Sequence, residues 1–276
     1  MPLSLAKSPL MFIRLTILSL LAALSITSRV YAQTLRVVAS EYAFRAPASA
    51  RPGLNRVVLV NQGKELHHIV ILRLPDSLDA SRAFGMVMQH QSLGNSHSVG
   101  GPGAIFPGDS SVAWITLEEG RYMFLRFIPA QDKRPHAMKG MIAQLNVTGD
   151  RLAAGAPAAT LTLSASEYAL DLSVPPSVGA ATIEFRNTGS QDHDYALVQL
   201  PDSADPIATA RRLGSADTTL KYVKLVGGSG PLGPGRRSWN RATLLRGHYA
   251  VICFAADQRD GRSHYLHGMV RTFDVR

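Results

Sequence analysis

The 276-residue chain has one cysteine and two tryptophans, and nowhere does it carry a membrane-length apolar run. A single cysteine excludes an internal disulfide, so the fold must rest on apolar cores. The leftover thiol is free for an intermolecular bond, a reactive centre or a metal. Leu15 to Ile26 is mostly apolar but covers only twelve residues, too few to cross a bilayer as a helix, which takes about 20. Lys7 and Arg14 precede or open that run and Val30-Tyr31-Ala32 follows it, the layout of a signal peptide with a small-residue cleavage site. Residues 1–32 are therefore expected to be removed and the mature chain to begin at Gln33. The protein is expected to be exported, to a periplasm or beyond, with no integral membrane segment left.

The charge is equally uninformative about a polyanion partner. The formal net charge of +9 falls to +6 once Lys7, Arg14 and Arg29 are removed, and the densest basic pairs are only Arg211-Arg212 and Arg236-Arg237. Nucleic-acid binding needs a focused patch or stripe, so no nucleic-acid partner is expected. Gly100-Gly101-Pro102-Gly103 and Gly227-Gly228-Ser229-Gly230 are not followed by the Lys-Ser/Thr of a phosphate loop.

What the chain does have is repetition. Ala39-Ser40-Glu41-Tyr42-Ala43-Phe44 recurs as Ala165-Ser166-Glu167-Tyr168-Ala169-Leu170, and at the same spacing Asn61, Gly63 and His67 meet Asn187, Gly189 and His193. Further on, Pro107-Gly108 meets Pro234-Gly235, Tyr122 meets Tyr249, His136 meets His264 and Gly140-Met141 meets Gly268-Met269. Units of this length can each bury a core, so they read as tandem domains, 33–150 and 151–276, with Ala153–Ala159 as the linker.

Each unit reads as all-β. Leu54–Val60 and Ala180–Arg186 are rich in apolar and β-branched residues and lead into Asn-x-Gly turns. Ile69–Leu74 and Ala196–Leu200 end at Pro-Asp turn starts. Ser111–Thr116 and Arg121–Ile128 flank Leu117-Glu118-Glu119-Gly120 and predict a hairpin. Short strands at near-regular spacing predict a Greek-key β-sandwich in each unit, with a short helix inserted at Leu78–Met88 and Pro206–Leu213. The glycine-rich segments are then expected to be loops over one end of each sandwich.

A copper site for electron transfer takes a thiolate, two imidazoles and a weak thioether. The second unit contains such a set in His193, Cys253, His264 and Met269. Together with Asn187-Thr188-Gly189, Gly247-His248-Tyr249 and His264-Tyr265-Leu266-His267-Gly268-Met269, this order resembles the cupredoxin family in a tandem two-domain form. The resemblance implies a blue copper centre in the second unit, with one ion on those four residues, Phe254 and Tyr249 shielding it, and a redox protein as partner. His267 is a substitute ligand to consider, although Lys139 stands at its counterpart. The first unit departs from the pattern at Arg126, which stands where the cysteine belongs, and a guanidinium cannot replace a thiolate. A second departure is the length of chain between Cys253 and His264, longer than the family carries. Met86, Met88, His90 and His97 form a looser group, read as core packing and solvated histidines before Cu(I) ligands.

Three functions remain to be weighed. The first is single-electron transfer through copper, which requires His193, Cys253 and His264 to converge. The second is a metal-free tandem binding or structural module. The third, a multicopper oxidase or nitrite reductase, is disfavoured because no His-x-His pair occurs, and the chain is expected not to be an enzyme.

Overall fold

The computed structural model describes residues 32–276 except 90, 92, 128–129, 131, 133, 216–219 and 221. The expected signal peptide thus lies outside the described residues, apart from Ala32. Among those described, no helix is long and apolar enough to cross a membrane.

The first half runs β1 (Gln33–Ser40), β2 (Ala43–Arg45), β3 (Ser49–Ala50), β4 (Gly53–Asn61), β5 (Val70–Arg73), α1 (Ala80–Met88), β6 (His97–Ser98), β7 (Ser110–Leu117), β8 (Gly120–Leu125) and β9 (Ile142–Val147), with a 3-10 turn at His136–Lys139. The second half runs β10 (Leu161–Ser166), β11 (Ala169–Leu172), β12 (Gly179–Asn187), β13 (His193–Leu200), α2 (Pro206–Gly214), β14 (Lys224–Leu232), β15 (Arg237–Leu244), β16 (Gly247–Ile252) and β17 (Val270–Val275), with a 3-10 turn at His264–His267. The fold is all-β, two sandwiches each carrying one short helix.

Alternation along the strands builds the cores. On β4, Val57 and Leu59 are fully buried, and β1 lies parallel to it with Val37 opposite Leu59. Ile69, Ile71, Phe124 and Leu145 face them from the opposing sheet. In the second half Phe185, Leu197 and Val251 do the same work, and Cys253 and Met269 belong to that cluster. Both helices open on an aspartate cap, Asp79 accepting from the Arg82 amide at 2.8 Å and Asp205 from the Ala208 amide at 2.7 Å. Met86 and Met88 pack against an outer cluster around Val70, Leu74 and Met123, which is the core-packing role; His90 lies outside the described residues.

Three expectations are corrected. Leu117–Gly120 is not a hairpin, because β7 pairs with β4 and β15 while β8 pairs with β5 and β9 in a different sheet. The chain crosses between sheets there, and Tyr122 closes the crossing: its hydroxyl donates to the Glu118 carbonyl at 3.0 Å and accepts from the Glu118 amide at 2.9 Å. Tyr249 closes the equivalent corner on Leu245, at 2.9 Å both ways. It therefore lies at the far end of β16 from Cys253 and does not shield that thiol.

The glycine-rich segments are also not end caps. They run against each other across the junction between the halves, with the Gly100 amide on the Pro231 carbonyl (2.8 Å) and the Gly230 amide on the Gly101 carbonyl (3.0 Å). A Cβ on Gly103 would stand 2.6 Å from the Gly228 Cα, so the close backbone approach needs glycine on both sides. A second seam joins β7 to β15 with Trp114 opposite Trp239. The result is one eight-stranded sheet through both halves, in the order β11-β10-β12-β15-β7-β4-β1-β2. Since β11, β10, β12 and β15 correspond in the repeat to β2, β1, β4 and β7, this order reads the same from either end, and the halves are related by a pseudo-twofold axis at the junction.

Candidate metal centre

The Asn187-Thr188-Gly189 turn sets the first histidine. The Asn187 side-chain carbonyl accepts from the Gly189 amide at 2.9 Å, and its NH2 donates to the Gln191 and Leu232 carbonyls at 2.7 Å each. This buried Asx turn fixes the chain as it enters β13, whose first residue is His193. Glu167 and His193 pass directly over Gly189: a Cβ there would lie 2.6 Å from Glu167 Oε1 and 2.8 Å from His193 Nε2.

The other candidates come from the end of β16 and the turn before β17. The Cys253 amide donates to the Met269 carbonyl at 3.2 Å, and the Cys253 carbonyl accepts from the Tyr265 amide at 2.9 Å. The His264 amide reaches the Ala255 carbonyl at 2.9 Å, and the Met269 amide the His264 carbonyl at 3.1 Å. Main-chain bonds therefore tie Cys253, His264 and Met269 into one knot, and all three are fully buried.

The side chains of His193, Cys253 and His264 meet inside that knot. The two Nδ1 atoms are 3.1 Å apart, and Cys253 Sγ lies 3.5 Å from His264 Nδ1 and 3.9 Å from His193 Nδ1. A triangle with these sides has a circumscribed radius of about 2 Å, close to metal–imidazole and metal–thiolate bonds of about 2.0–2.3 Å. The three donors thus fit one ion. Among the described residues no other group of three His, Cys, Asp or Glu donors gathers this way. His267 is not part of it; it faces Asp260 at 3.2 Å on the surface.

The electrostatics prepare two imidazoles and hold back the thiol. Burial, helped by the neighbouring His264, lowers His193 to about 4, and burial lowers His264 against the pull of Asp257. Both rings are neutral at neutral pH, which leaves nitrogen lone pairs for a metal. Burial pushes the Cys253 thiol well above its ordinary value, and the Asp194 carboxyl adds to this. Binding of a cation here must therefore release the thiol proton.

Residues not singled out as site residues from the sequence complete the support. His193 Nε2 faces Glu167 Oε1 at 3.7 Å, and His264 Nε2 faces Asp257 Oδ2 at 3.8 Å. Burial opposes ionisation of Glu167, but the amides of Ser190 and Gln191 outweigh it and hold the carboxyl down at about 2. At these distances neither carboxylate hydrogen-bonds its ring, and both Nε2 atoms are buried without a hydrogen-bond partner among the described residues. The carboxylates supply negative charge behind each imidazole while Nδ1 faces the thiol. The repeated hexapeptide was the signal that marks Glu167 and Tyr168; nothing in the sequence marks Asp257.

The stretch from Cys253 to His264 is ordered by its own contacts. Ala256 bridges to Ser263, the Asp257 amide donates to the Arg262 carbonyl at 2.8 Å, and the Gln258 amide donates to Gln191 Oε1 at 2.6 Å. Asp257 accepts from the Tyr168 hydroxyl and pairs with Arg259 at 3.2 Å. Tyr168 takes the left-handed conformation, φ 64°, and sets its ring edge-on to His264 at 5.7 Å. The stretch between Cys253 and His264 thus forms a small closed structure.

The first half keeps this frame and changes its centre. His67 Nε2 faces Glu41 Oε1 at the same 3.7 Å, and His136 Nε2 meets Glu65 Oε2 at 2.6 Å. Between them stands Arg126, fully buried, donating from Nη2 to the Leu66 carbonyl. Burial pushes the guanidinium down to about 10, with Glu65 and Glu41 holding it up, so it keeps its charge at neutral pH. A fixed cation thus stands where the second half has its thiol.

No family model and no curated protein matches the chain. Solved structures similar to it include auracyanin from Roseiflexus castenholzii, at 18% identity over 43% of this chain and 98% of that one, with a TM-score of 0.30. A copper-containing nitrite reductase from Thermus scotoductus matches at 14% identity over 88% of this chain and 61% of that one, TM-score 0.25. A multicopper oxidase matches at 14% identity over 88% of each chain, TM-score 0.25. The expectation of a non-enzyme does not stand beside them, since two of these neighbours are enzymes. A missing His-x-His pattern speaks only against one way of holding further copper, and not against catalysis.

Proposed function

We propose that the second half, residues 151–276, holds one copper ion between His193, Cys253 and His264, with Met269 as the weak fourth donor, and that the protein transfers single electrons. The observation that carries this reading is the triangle of 3.1, 3.5 and 3.9 Å formed by one sulfur and two nitrogens in a fully buried site. One soft thiolate with two imidazoles is the donor set copper favours for electron transfer. Bound copper would supply the Cu(II)/Cu(I) couple.

The chain's own residues do the rest. Nδ1 of each ring faces inward, with the charge of Glu167 and Asp257 3.7 and 3.8 Å behind Nε2. The main-chain bonds among Cys253, His264 and Met269 keep the donors fixed whichever oxidation state is present, which lowers the rearrangement an electron must wait for. Burial excludes water from the donors. The first half, residues 33–150, supplies half of the eight-stranded sheet, and Arg126 keeps its own centre closed to metal. In this reading the protein is exported, on the pattern of residues 1–32, and exchanges its electron with a redox protein.

Voltammetry of the copper-loaded mature chain tests the function. A reversible wave of one electron per chain, missing in Cys253→Ala, is the expected result. Copper that binds but cannot be cycled without leaving the protein would reject electron transfer.

A further inference from the structure

Six neighbouring strands of the eight-stranded sheet, β2, β1, β4, β7, β15 and β12, carry six arginines and one acidic residue, Glu184. The sequence scatters these arginines between positions 36 and 241. Strand alternation gathers them on the outer face, since Leu35, Val57, Ile115 and Phe185 turn to the cores. Register then sets most of them in line. Arg45 is opposite Val38, two residues from Arg36, and Arg36 is opposite Val58, two residues from Arg56. Arg56 is opposite Trp114 and Trp114 opposite Trp239, while Arg237, two residues from Trp239, is opposite Arg186. Five strand steps of about 4.8 Å and six residue steps of about 3.4 Å make this a diagonal of about 30 Å. We propose that this arginine stripe binds a linear polysaccharide bearing carboxylate or sulfate groups.

The cations are available. Arg36, Arg45, Arg186, Arg237 and Arg241 are exposed and Arg56 is half-buried. Glu184 is buried and answers Arg186 at 2.8 Å and Arg237 at 3.7 Å. Among the described residues, Arg36, Arg56 and Arg241 have no carboxylate within ion-pair distance. The fold does not require the stripe, because the repeat puts Thr162, Asp171 and Thr182 where the first half has Arg36, Arg45 and Arg56. All six cations are arginines, whose planar fork matches the paired oxygens of an oxyanion better than a lysine does.

The tryptophans select the kind of polymer. Arg56 and Arg241 lie over the Trp114 ring, 5.8 and 5.2 Å from its centroid, and Arg237 lies over the ring of the buried Trp239 at 5.4 Å. A single-stranded nucleic acid needs aromatic faces free for its bases, and here guanidiniums cover them. The same cation–π contacts restrain the guanidiniums before a ligand arrives, which lowers the ordering cost of binding. A charged polysaccharide repeats its anionic groups along the chain and needs no base stacking. The inference uses no metal.

Fluorescence anisotropy of labelled dextran sulfate and labelled polygalacturonate, titrated at low salt with the mature chain, tests it. Saturable binding to at least one polymer is expected, weakened by added salt. The polymer that binds identifies sulfate or carboxylate as the recognised group. Arg36→Gln with Arg56→Gln should weaken binding on the order of tenfold. Arg211→Gln with Arg212→Gln removes the same charge from α2, which packs on the other sheet, and should change affinity less than about twofold. No binding to either polymer would overturn the assignment, as would an unchanged affinity in the Arg36/Arg56 variant. Equal losses in the two double variants would reduce the effect to net charge, and tighter binding of oligothymidylate than of both polysaccharides would hand the stripe to nucleic acid; each result rejects the proposal.

Discussion

Arg126 and Cys253 occupy the same position in the two halves, each fully buried and each held by a main-chain bond from the following 3-10 turn, Ala137 amide to Arg126 carbonyl at 3.0 Å and Tyr265 amide to Cys253 carbonyl at 2.9 Å. One fold therefore surrounds two different cations, a permanent guanidinium in the first half and, in the proposed reading, a copper ion in the second. The flanking histidines persist in both because the frame of Glu41 or Glu167 and the Asn-x-Gly turn positions them in either case.

Arg126→Cys should then build a second donor triad with His67 and His136. Copper titration is expected to rise from one to two equivalents per chain. The variant loses the attraction between the buried guanidinium and Glu65 and Glu41 and leaves a gap where a large side chain stood, so a stability cost of about 3 kcal/mol should accompany it. A variant that folds and still takes one equivalent would show that the first-half histidines are not placed as ligands.

Gly189→Ala puts a methyl group against Glu167 and His193. Displacing the group behind a ligand typically costs about 10–100-fold in metal affinity, and that loss is expected in a copper competition assay. Gly63→Ala makes the same intrusion against Glu41 and His67, and should lower stability without touching copper affinity.

The repeat explains how much of this was legible beforehand. Ala39–Phe44 and Ala165–Leu170 announce two equivalent units, and strand alternation gives the sandwiches. Each Glu of that hexapeptide turns out to be the group behind a histidine. The junction was not legible: Gly100–Gly103 and Gly227–Gly230 look like ordinary loops, and only the partner half explains the need for a close backbone approach. Leu117–Gly120 carries turn residues that a hairpin and a sheet-crossing corner share, and Tyr122 decides between them through a contact four residues back. Asp257 was hidden for a similar reason, since its partners Tyr168 and His264 are distant in sequence or across a loop.

Asp257→Asn should loosen the stretch between Cys253 and His264, because it removes the charge paired with Arg259 and facing His264. Faster amide exchange confined to that stretch is expected, together with copper affinity lower by about tenfold. Tyr168→Phe deletes one hydroxyl bond to the same carboxylate and should give the same pattern with smaller amplitude.

Acid should destabilise the metal-free protein from about pH 6.5 downward, an effect that Asp194, which burial raises to about 6, offsets in part. Burial lowers His67 to about 4 and His68 to about 3 from an ordinary 6.5, with Arg126 adding to both. Below 6.5 the unfolded chain takes up protons that these rings refuse in the fold, so stability rises with pH between those values and 6.5 and is lost as pH falls. Each ring contributes at most about 1.4 kcal/mol per pH unit. Denaturant melts at pH 7 and 5 should show the loss, and His68→Leu should reduce it.

The most direct measurement is a visible absorption titration of the mature chain, Gln33 to Arg276, with Cu(II), beside Cys253→Ala. A strong thiolate-to-copper band that saturates at one equivalent, and is absent in the variant, is expected. Saturation without such a band, or an identical spectrum from Cys253→Ala, would contradict a copper centre built on His193, Cys253 and His264.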